Sequence, residues 1–466
     1  MGAALELKGK RVLVVGLART GMATARFCAH RGAIVTATDD RPEERFGDDA
    51  KALRRAGVVL ELGGLRAETF ARQDFIVVSP GVDPRIPALE RARAAAIPIW
   101  SEIELASRFL HGRLVAITGS NGKTTTTALL GHILKMANIE TLVGGNIGVP
   151  LVSLVEQSSQ SGVAVVEVSS FQLETINTFR PEIALLLNLT PDHLDRHESF
   201  EEYARIKLRI FENQLERDAA ILNADDPEVA QRFPARPRVY WFSRLKRVAA
   251  GAYLRDAHVF IRTDGAEESI LRRDEIPLRG QHNVENVLAA CVAARLAGAD
   301  PFAIAQGVKS FPGVEHRIEF VAKINGVRFY NDSKATNVDA SLKAIEAFDS
   351  PLIVILGGKD KGSPYAPLRE PLRHRAKMIL LIGASSEKIA AELAGAVPVE
   401  PAGTLEHAVN IAFERARPGD TVLLAPACAS FDQFDNYEHR GRVFKELVAR
   451  LAAQAAAAAG SKAGRA

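Results

Sequence analysis

The chain has 466 residues, which at roughly 100–200 residues per domain predicts two to four domains. Its composition, 47% hydrophobic and 25% charged, is typical of a globular protein and excludes a disordered one. A formal net charge of +3 over this length creates no field strong enough to favour nucleic acid as a partner. Any anion that binds must therefore be held by local groups.

The cysteines and the hydropathy pattern indicate a cytoplasmic protein. The three cysteines are odd in number and widely spaced, and they form no CxxC pair, so neither a disulfide framework nor a zinc site is expected. Lys8, Lys10 and Arg11 interrupt the N-terminal segment, and no apolar run approaches the ~18–20 residues of a membrane span. We therefore expect neither secretion nor membrane insertion.

Short apolar runs recur along the chain with helical patterns between them, which is typical of parallel sheets covered by helices on both faces. The predicted strands lie at residues 12–15, 33–38, 75–78, 114–118, 163–168, 184–189, 327–330, 352–356, 378–382 and 421–424. We predict an α/β fold of three domains, with an N-terminal Rossmann-like domain at 1–107, a central domain at 108–312 and a C-terminal Rossmann-like domain at 313–466. The strand order between residues 219 and 275 stays open, and the Ala-rich tail from residue 452 is expected to be a frayed helix end.

The strongest local motif is TGSNGKTT at residues 118–125, between a predicted strand and a predicted helix. A strict Walker A motif would need glycine where Ile117 stands, so only the shorter GxxGK[ST] form is present. Backbone N–H groups of such a loop surround phosphate oxygens, Lys123 would neutralise phosphate charge, and the Thr124 hydroxyl would bind Mg²⁺. The central domain is therefore predicted to be a P-loop ATPase sheet, the alternative being a glycine-rich turn without a ligand.

A second glycine motif follows the first predicted strand. Gly16, Ala18 and Gly21 resemble a dinucleotide fingerprint whose middle glycine is replaced, and that glycine normally admits the pyrophosphate of NAD. Asp39 ends the second predicted strand, where an acidic residue would meet a ribose or a uracil edge. The motif indicates either a different nucleotide bound in a different pose or a purely structural turn.

Metal-capable groups follow two strands of the central domain. Glu167 leaves its strand beside the predicted phosphate loop, where a metal-binding carboxylate belongs. His193 lies in DHLDRH at residues 192–197, after the next strand; alone it would be interpreted as a solvated loop histidine, but beside Glu167 a metal ligand is favoured. Lys207 lies on a basic helical face, and its pattern alone predicts an ordinary surface lysine.

Three polar clusters in the C-terminal domain each follow a predicted strand. They occupy residues 331–337, 357–362 and 426–434. Loops at the carboxyl ends of parallel strands form the ligand crevice of an open α/β sheet. We therefore expect the three clusters to converge on one small anionic ligand, although a single such cluster could be helix-capping chemistry.

At this point the sequence resembles the Mur ligase family of ATP-dependent amide-forming enzymes over nearly its whole length. The shared blocks lie at residues 117–124, 144–148, 188–197 and 315–317, and the blocks at 167–173, 331–337 and 427–434 resemble the family member that adds D-glutamate. The resemblance implies phosphoryl transfer from ATP to the carboxylate of UDP-N-acetylmuramoyl-L-alanine, followed by attack of the D-glutamate amine on the acyl phosphate. It also implies a monomeric cytoplasmic enzyme of peptidoglycan precursor synthesis.

The resemblance also implies residue roles, carried over position by position. It implies a catalytic group of Lys123, Glu167, His193, Lys207 and Lys334. The residues implied to bind ATP are Gly119, Ser120, Asn121, Gly122, Lys123, Thr124, Thr125, Arg317 and Asp332. Two Mg²⁺ ions would be held by Thr124, Glu167, His193 and Lys207, with Lys207 as a carbamate. The residues implied to bind the UDP substrate are Thr20, Asp39, Asp40, Arg41, Gly81 and Asn146, and those implied to bind glutamate are Thr336, Lys361, Ser430 and Tyr437.

Two other functions compete with this interpretation. A folylpolyglutamate synthase shares the P-loop and also adds glutamate, but its family begins close to the P-loop, whereas here a full domain precedes it. A nucleotide-sensing protein that has lost catalysis is opposed by the presence of Lys123, Glu167, His193 and Lys334. Two carboxylate anchors fit either enantiomer of glutamate, so the residues themselves leave its stereochemistry open.

Overall fold

The computed structural model describes residues 5–192, 196–232, 236–349, 351–362 and 364–463. The chain divides into two compact units, one of Met1–Ile276 with Val284–Phe311 and one of Pro277–Asn283 with Pro312–Ala466. Two largely parallel sheets belong to the first unit and one to the second. Each sheet carries helices between its parallel strands, as the apolar runs predict.

The first sheet is a five-stranded parallel sheet in the order β3-β2-β1-β4-β5. Its strands are β1 Arg11–Val15, β2 Ile34–Asp39, β3 Val59–Leu62, β4 Phe75–Val78 and β5 Ile99–Ser101. Its helices are α1 Arg19–His30, α2 Gly47–Arg55, α3 Ala67–Phe70, α4 Pro87–Ala94 and α5 Glu102–Ser107. Val12 and Val14 pack into one hydrophobic cluster, and Leu13 and Val15 pack into another. Strand β1 is therefore buried on both faces, which explains why its sequence is an unbroken apolar run.

The glycines after β1 are required by close packing. A Cβ atom on Gly16, whose φ is +86°, would lie 2.7 Å from a methyl group of Val82. A Cβ atom on Gly21 would lie 1.8 Å from the carbonyl oxygen of Gly16. The turn and the start of α1 can therefore approach each other only with glycine at both positions.

The second sheet has nine strands in the order β14-β13-β12-β11-β10-β9-β6-β8-β7. They are β6 Arg113–Thr118, β7 Thr141–Gly145, β8 Val163–Glu167, β9 Ile183–Leu186, β10 Ala219–Asn223, β11 Arg238–Ser243, β12 Gly251–Arg255, β13 His258–Thr263 and β14 Ala266–Arg272. The segment whose strand order the sequence leaves open contains two antiparallel hairpins, formed by β12, β13 and β14. These hairpins extend a parallel core through the pairing of β12 with β11. The helices that follow along the chain are α6 Lys123–Met136, α7 Ser170–Leu173, α8 Phe200–Leu208, α9 Pro227–Ala230, α10 Gln281–Leu296 and α11 Pro301–Ser310.

The third sheet has six strands in the order β15-β16-β20-β17-β18-β19. They are β15 Glu319–Ile324, β16 Val327–Asn331, β17 Leu352–Gly357, β18 Ala376–Ile382, β19 Val399–Gly403 and β20 Thr421–Leu424. All neighbours are parallel except the β15–β16 hairpin. The helices are α12 Val338–Glu346, α13 Arg369–Arg375, α14 Ser386–Leu393, α15 Leu405–Arg415 and α16 Tyr437–Ala463. Among the helices of the described ranges, none is both long and apolar enough to cross a membrane.

Helix α5 places two buried carboxylates at the junction between the first two sheets. Glu104 accepts hydrogen bonds from the N–H groups of Asn177, Thr178 and Phe179, which outweigh burial and lower the pKa of its carboxyl group. Glu102 is 1% exposed and accepts from the N–H of Val152 at 2.6 Å. Burial raises the pKa of Glu102 to about 7, opposed only by backbone N–H bonds. The two carboxylates therefore differ in how well the fold compensates their charge.

Replacing Glu102 should change how stability depends on pH. The pKa of about 7 in the folded chain lies above the ordinary 4.5, so stability from this group is complete below about pH 4.5 and is lost as pH rises through 7. Glu102→Gln cannot ionise. Its free energy of unfolding, relative to the wild type, should therefore rise by up to about 3 kcal/mol between about pH 5 and about pH 8, measured by chemical denaturation. A difference between the two proteins that is independent of pH would contradict the shift.

Candidate functional site

The loop between β6 and α6 has the backbone of a phosphate-binding loop. Gly119 has a φ of +154° and Gly122 a φ of +84°, both in the region that favours glycine. A Cβ atom on Gly122 would lie 2.3 Å from Oδ1 of Asn286, so neighbouring side chains also exclude a larger residue. Helix α6 begins directly after this turn, and its first N–H groups face the loop. The arrangement suits an anion at the start of α6.

Hydrogen bonds fix the side chains of Lys123 and Ser120 at this loop. The Lys123 ammonium donates to the carbonyl oxygens of Gly119 at 2.7 Å and of Ser120 at 2.8 Å. The Ser120 hydroxyl donates to the carbonyl of Thr190 at 2.9 Å and lies 3.0 Å from the hydroxyl of Tyr203. Thr124 is buried one residue further along α6. A cation and a hydroxyl are thus placed where phosphate and Mg²⁺ would need them.

Glu167 ends β8, the parallel neighbour of β6 in the sheet. Its side chain is 2% exposed, and Oε1 accepts a hydrogen bond from the side-chain amide of Asn146 at 2.9 Å. The other oxygen, Oε2, is buried and has no hydrogen-bond partner among the described residues. A buried carboxylate oxygen without a partner is costly unless a cation takes that place, and Mg²⁺ prefers oxygen ligands. Glu167 therefore fits a bound Mg²⁺ ion.

Lys207 is buried, and the surface position that its sequence pattern predicts is wrong. The side chain is 1% exposed and donates to the carbonyl of Gly119 at 3.0 Å and to the hydroxyl of Thr118 at 3.4 Å. Its helix, α8, turns this residue inward together with Tyr203 and Ile206. Burial, reinforced by the charge of Lys123, holds the pKa of Lys207 well below its ordinary value. The fold therefore disfavours the charged form of Lys207 beside the phosphate loop.

The predicted metal set lies only partly within the described residues. Asp192 is described and its charge opposes the lowered pKa of Lys207, but His193 lies outside the described residues. Within the described ranges, no three His, Cys, Asp or Glu side chains form a group that could hold a metal. The metal set predicted here draws on a threonine hydroxyl, one carboxylate and a modified lysine besides His193.

The candidate nucleotide residues of the first sheet follow β1, β2 and β4, which are adjacent. The Asp39 carboxylate accepts from the N–H of Leu17 at 2.7 Å and from the Arg41 guanidinium at 2.8 and 2.9 Å. Although burial alone would raise it, these donors hold the pKa of Asp39 well below its usual range. Asp40, Arg41 and Gly81 are exposed and Thr20 is half-buried. The structure thus brings the predicted set to one edge of the sheet.

The glycine-rich segment at residues 144–150 includes the last two residues of β7 and the loop that follows it. We call it the arm loop, because the resemblance implies that its Asn146 faces the muramoyl-alanyl arm of the substrate. Asn146 is exposed apart from its bonds to Glu167. The Arg19 guanidinium, from α1, donates to the carbonyl of Gly148 at 2.7 Å. The arm loop is thereby joined both to Glu167 and to helix α1 of the first sheet.

The three polar clusters of the third sheet lie together. They follow β16, β17 and β20, and β20 lies between the other two strands. The Lys361 ammonium lies 3.5 Å from the hydroxyl of Thr336, which links the first two clusters. The backbones of Lys359 and Ala429 exchange hydrogen bonds at 2.9 and 3.1 Å, which links the second cluster to the third. Ser430 is buried next to this bridge.

Charged side chains line the same edge of the third sheet. Burial raises the pKa of Asp332 to about 6, against the opposing charges of Arg317 and Lys334. The Arg317 Nε atom is buried without a hydrogen-bond partner. The Lys334 ammonium lies 5.6 Å from the ring centre of Tyr437. These groups can hold an anion between Arg317 and Lys334.

Sequence reasoning missed Arg440, a residue that organises this edge. Arg440 is fully buried, and its guanidinium donates to the carbonyls of Ser333 at 2.9 Å and Cys428 at 3.2 Å. It therefore ties the first polar cluster to the third. The only signal was its place in α16, just after the third cluster, and an arginine in a helix is ordinarily interpreted as exposed.

Comparisons with known proteins identify the class. Three family profiles match: the MurD-like N-terminal domain at residues 10–101, the Mur ligase middle domain at 117–294 and the Mur ligase glutamate ligase domain at 316–428. Among solved structures, UDP-N-acetylmuramate-alanine ligase MurC from Thermotoga maritima has a TM-score of 0.58 at 18% identity, covering 94% of this chain and 98% of that one. MurF ligase from Thermotoga maritima, solved with ADP, has a TM-score of 0.58 at 17% identity, covering 96% of each chain. At these identities the likeness shows the fold.

Curated relatives are much more similar in sequence. A UDP-N-acetylmuramoylalanine–D-glutamate ligase from Acidobacterium capsulatum is 56% identical, covering 97% of this chain and 99% of that protein. The protein of the same name from Solibacter usitatus is 53% identical, covering 95% and 98%. The chain belongs to the Mur ligase family and has its three-domain α/β fold, so both predictions are confirmed.

The P-loop lysine gives the site a direct test. Lys123→Ala should lower kcat by about 10²–10³-fold, because the lysine stabilises charge on the transferring phosphoryl oxygens, an effect worth ~2.7–4 kcal/mol in comparable sites. Lys135→Ala is the matched control, since Lys135 lies on the same helix and is exposed. ADP formation should be measured for both variants. Near-normal activity of Lys123→Ala would contradict the phosphate-loop assignment.

Proposed function

We propose that this Mur ligase adds D-glutamate to UDP-N-acetylmuramoyl-L-alanine, with ATP converted to ADP and phosphate, in peptidoglycan precursor synthesis. The observation that carries the proposal is its 56% identity, over 97% of the chain, to a relative that bears the name of this activity. The phosphate loop, the unpartnered Glu167 oxygen and the three joined clusters of the third sheet support it. The enzyme is a cytoplasmic monomer with domains at 1–107, 108–312 and 313–466.

The first step transfers the γ-phosphoryl group of ATP to the L-alanyl carboxylate. Gly119, Ser120, Asn121, Gly122, Thr124 and Thr125 hold the ATP phosphates together with Lys123, whose charge stabilises the transferring oxygens. Bound Mg²⁺ supplies further charge neutralisation and orients the phosphates. Thr124 and Glu167 hold one such ion. Thr20, Asp39, Asp40, Arg41 and Gly81 hold the UDP portion, and Asn146 faces the muramoyl-alanyl arm.

Lys207 carries a carboxylate acquired from CO₂. The lowered pKa of Lys207 favours the amine form, which can attack CO₂. An N–C bond forms, one C–O double bond of CO₂ becomes a C–O⁻ single bond and the nitrogen loses one proton, so the amine becomes an anionic carbamate. An ordinary ammonium at this buried position would repel both Lys123 and Mg²⁺, whereas carbamate oxygens bind Mg²⁺ well. Lys207 and His193 hold the second Mg²⁺ ion.

The second step is attack of the D-glutamate amine on the acyl phosphate. Thr336, Lys361, Ser430 and Tyr437 hold the two glutamate carboxylates, while Arg317 and Asp332 hold the adenine nucleotide. Lys334 contacts the phosphoryl group during its transfer and stabilises the departing phosphate. Two carboxylates near Lys361 and Lys334 suit the cationic edge that β16, β17 and β20 form.

The amino-acid substrate tests the proposed function. Purified protein with ATP and Mg²⁺ should form ADP only when UDP-N-acetylmuramoyl-L-alanine and glutamate are both present, and D-glutamate should be used in strong preference to L-glutamate. ADP formation and the mass of the UDP product are the measurements. Nucleotide binding without turnover would favour a sensing protein, and use of L-glutamate with a folate substrate would favour a folylpolyglutamate synthase.

Variants of Lys207 distinguish a carbamate at this position from a lysine that is only structural. Lys207→Ala should lose most activity and regain part of it when short carboxylic acids are added, because they can occupy the space of the carbamate. Lys207→Arg should stay inactive, and Arg205→Ala, on the exposed side of the same helix, should remain active. Full activity of Lys207→Ala without any additive would refute the carbamate.

A further inference from the structure

The conformation of the arm loop depends on contacts with other parts of the chain as well as on its own hydrogen bonds. Gly145 has a φ of +100° and Gly148 a φ of +59°, so the segment combines flexible residues with left-handed backbone. The short 3-10 helix Leu151–Ser153 follows, preceded by Pro150, which provides no side-chain cap. The position of the loop must therefore be set by contacts from other parts of the chain.

Glu102 provides one of these contacts from 50 residues away in sequence. Its Oε1 atom accepts a hydrogen bond of 2.6 Å from the N–H of Val152, in the first turn after the arm loop. Its Oε2 atom is buried without a partner, and the whole side chain is 1% exposed. A buried carboxylate with one unpartnered oxygen destabilises the fold, so its presence is not explained by stability.

Two further contacts hold the loop upstream of this turn. Arg19 donates to the Gly148 carbonyl at 2.7 Å, and the Asn146 side chain donates to Glu167 at 2.9 Å. The Gly145 N–H donates to the Val149 carbonyl at 2.9 Å and closes the loop on itself. Glu102 holds the turn that directly follows this closed loop, so it adds an anchor on the downstream side of Asn146 and Gly148.

We propose that Glu102 is a positioning residue for the UDP substrate, acting through the arm loop. By fixing the turn at Val152 it sets where Asn146 faces the muramoyl-alanyl arm. The inference rests on the proposed function, since the role of Asn146 toward that arm belongs to it. Glu102 itself touches neither the phosphate loop nor the predicted metal ligands in the described contacts.

The same helix offers a matched control. Glu104 is equally buried, two residues further along α5, but it holds residues 177–179 instead of the arm loop. Glu102→Met keeps the length and volume of the side chain and removes the acceptor. Glu102→Gln keeps one acceptor oxygen for the Val152 N–H. Glu104→Gln perturbs the helix without touching the arm loop.

Kinetics and hydrogen exchange of the full chain test the inference. Glu102→Met should raise KM for UDP-N-acetylmuramoyl-L-alanine about tenfold and leave KM for ATP and D-glutamate within twofold, since the hydrogen bond from the Val152 N–H is lost only beside the loop. Amide exchange at residues 151–152 should become faster. Glu102→Gln should restore KM to within threefold, and Glu104→Gln should lower Tm without changing any KM.

The failures of the two proposals are distinguishable. A wild-type chain that forms no ADP with UDP-N-acetylmuramoyl-L-alanine and D-glutamate overturns the proposed function. A wild type that does so, with unchanged KM or unchanged exchange at residues 151–152 in Glu102→Met, overturns only the role of Glu102. An equal rise in KM for all three substrates, or the same rise in Glu104→Gln, also overturns it, because either result indicates general destabilisation.

Discussion

The parallel pairing of strands is the constraint on which the sites of this protein depend. Strands that run in one direction end at one edge of their sheet, and the segments that follow them must gather there. In the second sheet this places the phosphate loop after β6 next to Glu167 at the end of β8. In the third it joins the clusters after β16, β20 and β17. Chemistry scattered over hundreds of residues is thereby concentrated at two edges.

The pKa values of ionisable side chains in the candidate sites depend on burial as much as on ion pairing. Burial of Lys207, reinforced by the nearby charge of Lys123, lowers the pKa of its amine. Asp39, in the first sheet, is instead stabilised in its charged form, because the guanidinium of Arg41 donates two hydrogen bonds to its carboxylate. The fold therefore disfavours the charged form of the lysine and favours the charged form of the aspartate.

Strand periodicity and glycine motifs were enough to predict the fold class and the main strands. Strands β3, β7, β15 and β19 were missed because each is only partly buried, and β5 was missed because it has three residues, so none of them gives a buried apolar run. The position of Lys207 was mispredicted because helical periodicity does not show which face of α8 meets the phosphate loop. Arg440 could not be found for a related reason: apart from the Ser333 hydroxyl, its partners are backbone carbonyls, which leave no mark in a sequence.

The contact between Gly122 and Asn286 has a consequence for how this sequence can change over time. Oδ1 of Asn286 occupies the place that a Cβ atom on residue 122 would take and also accepts a hydrogen bond from Thr126 at 3.3 Å. Shortening Asn286 would open the space but leave the left-handed backbone of Gly122, whose φ is +84°, still unfavourable for a larger residue. Substitution of Gly122 is therefore unfavourable for two reasons. The side chain of Asn286, 164 positions away, occupies the space that a Cβ atom would need, and the left-handed backbone favours glycine.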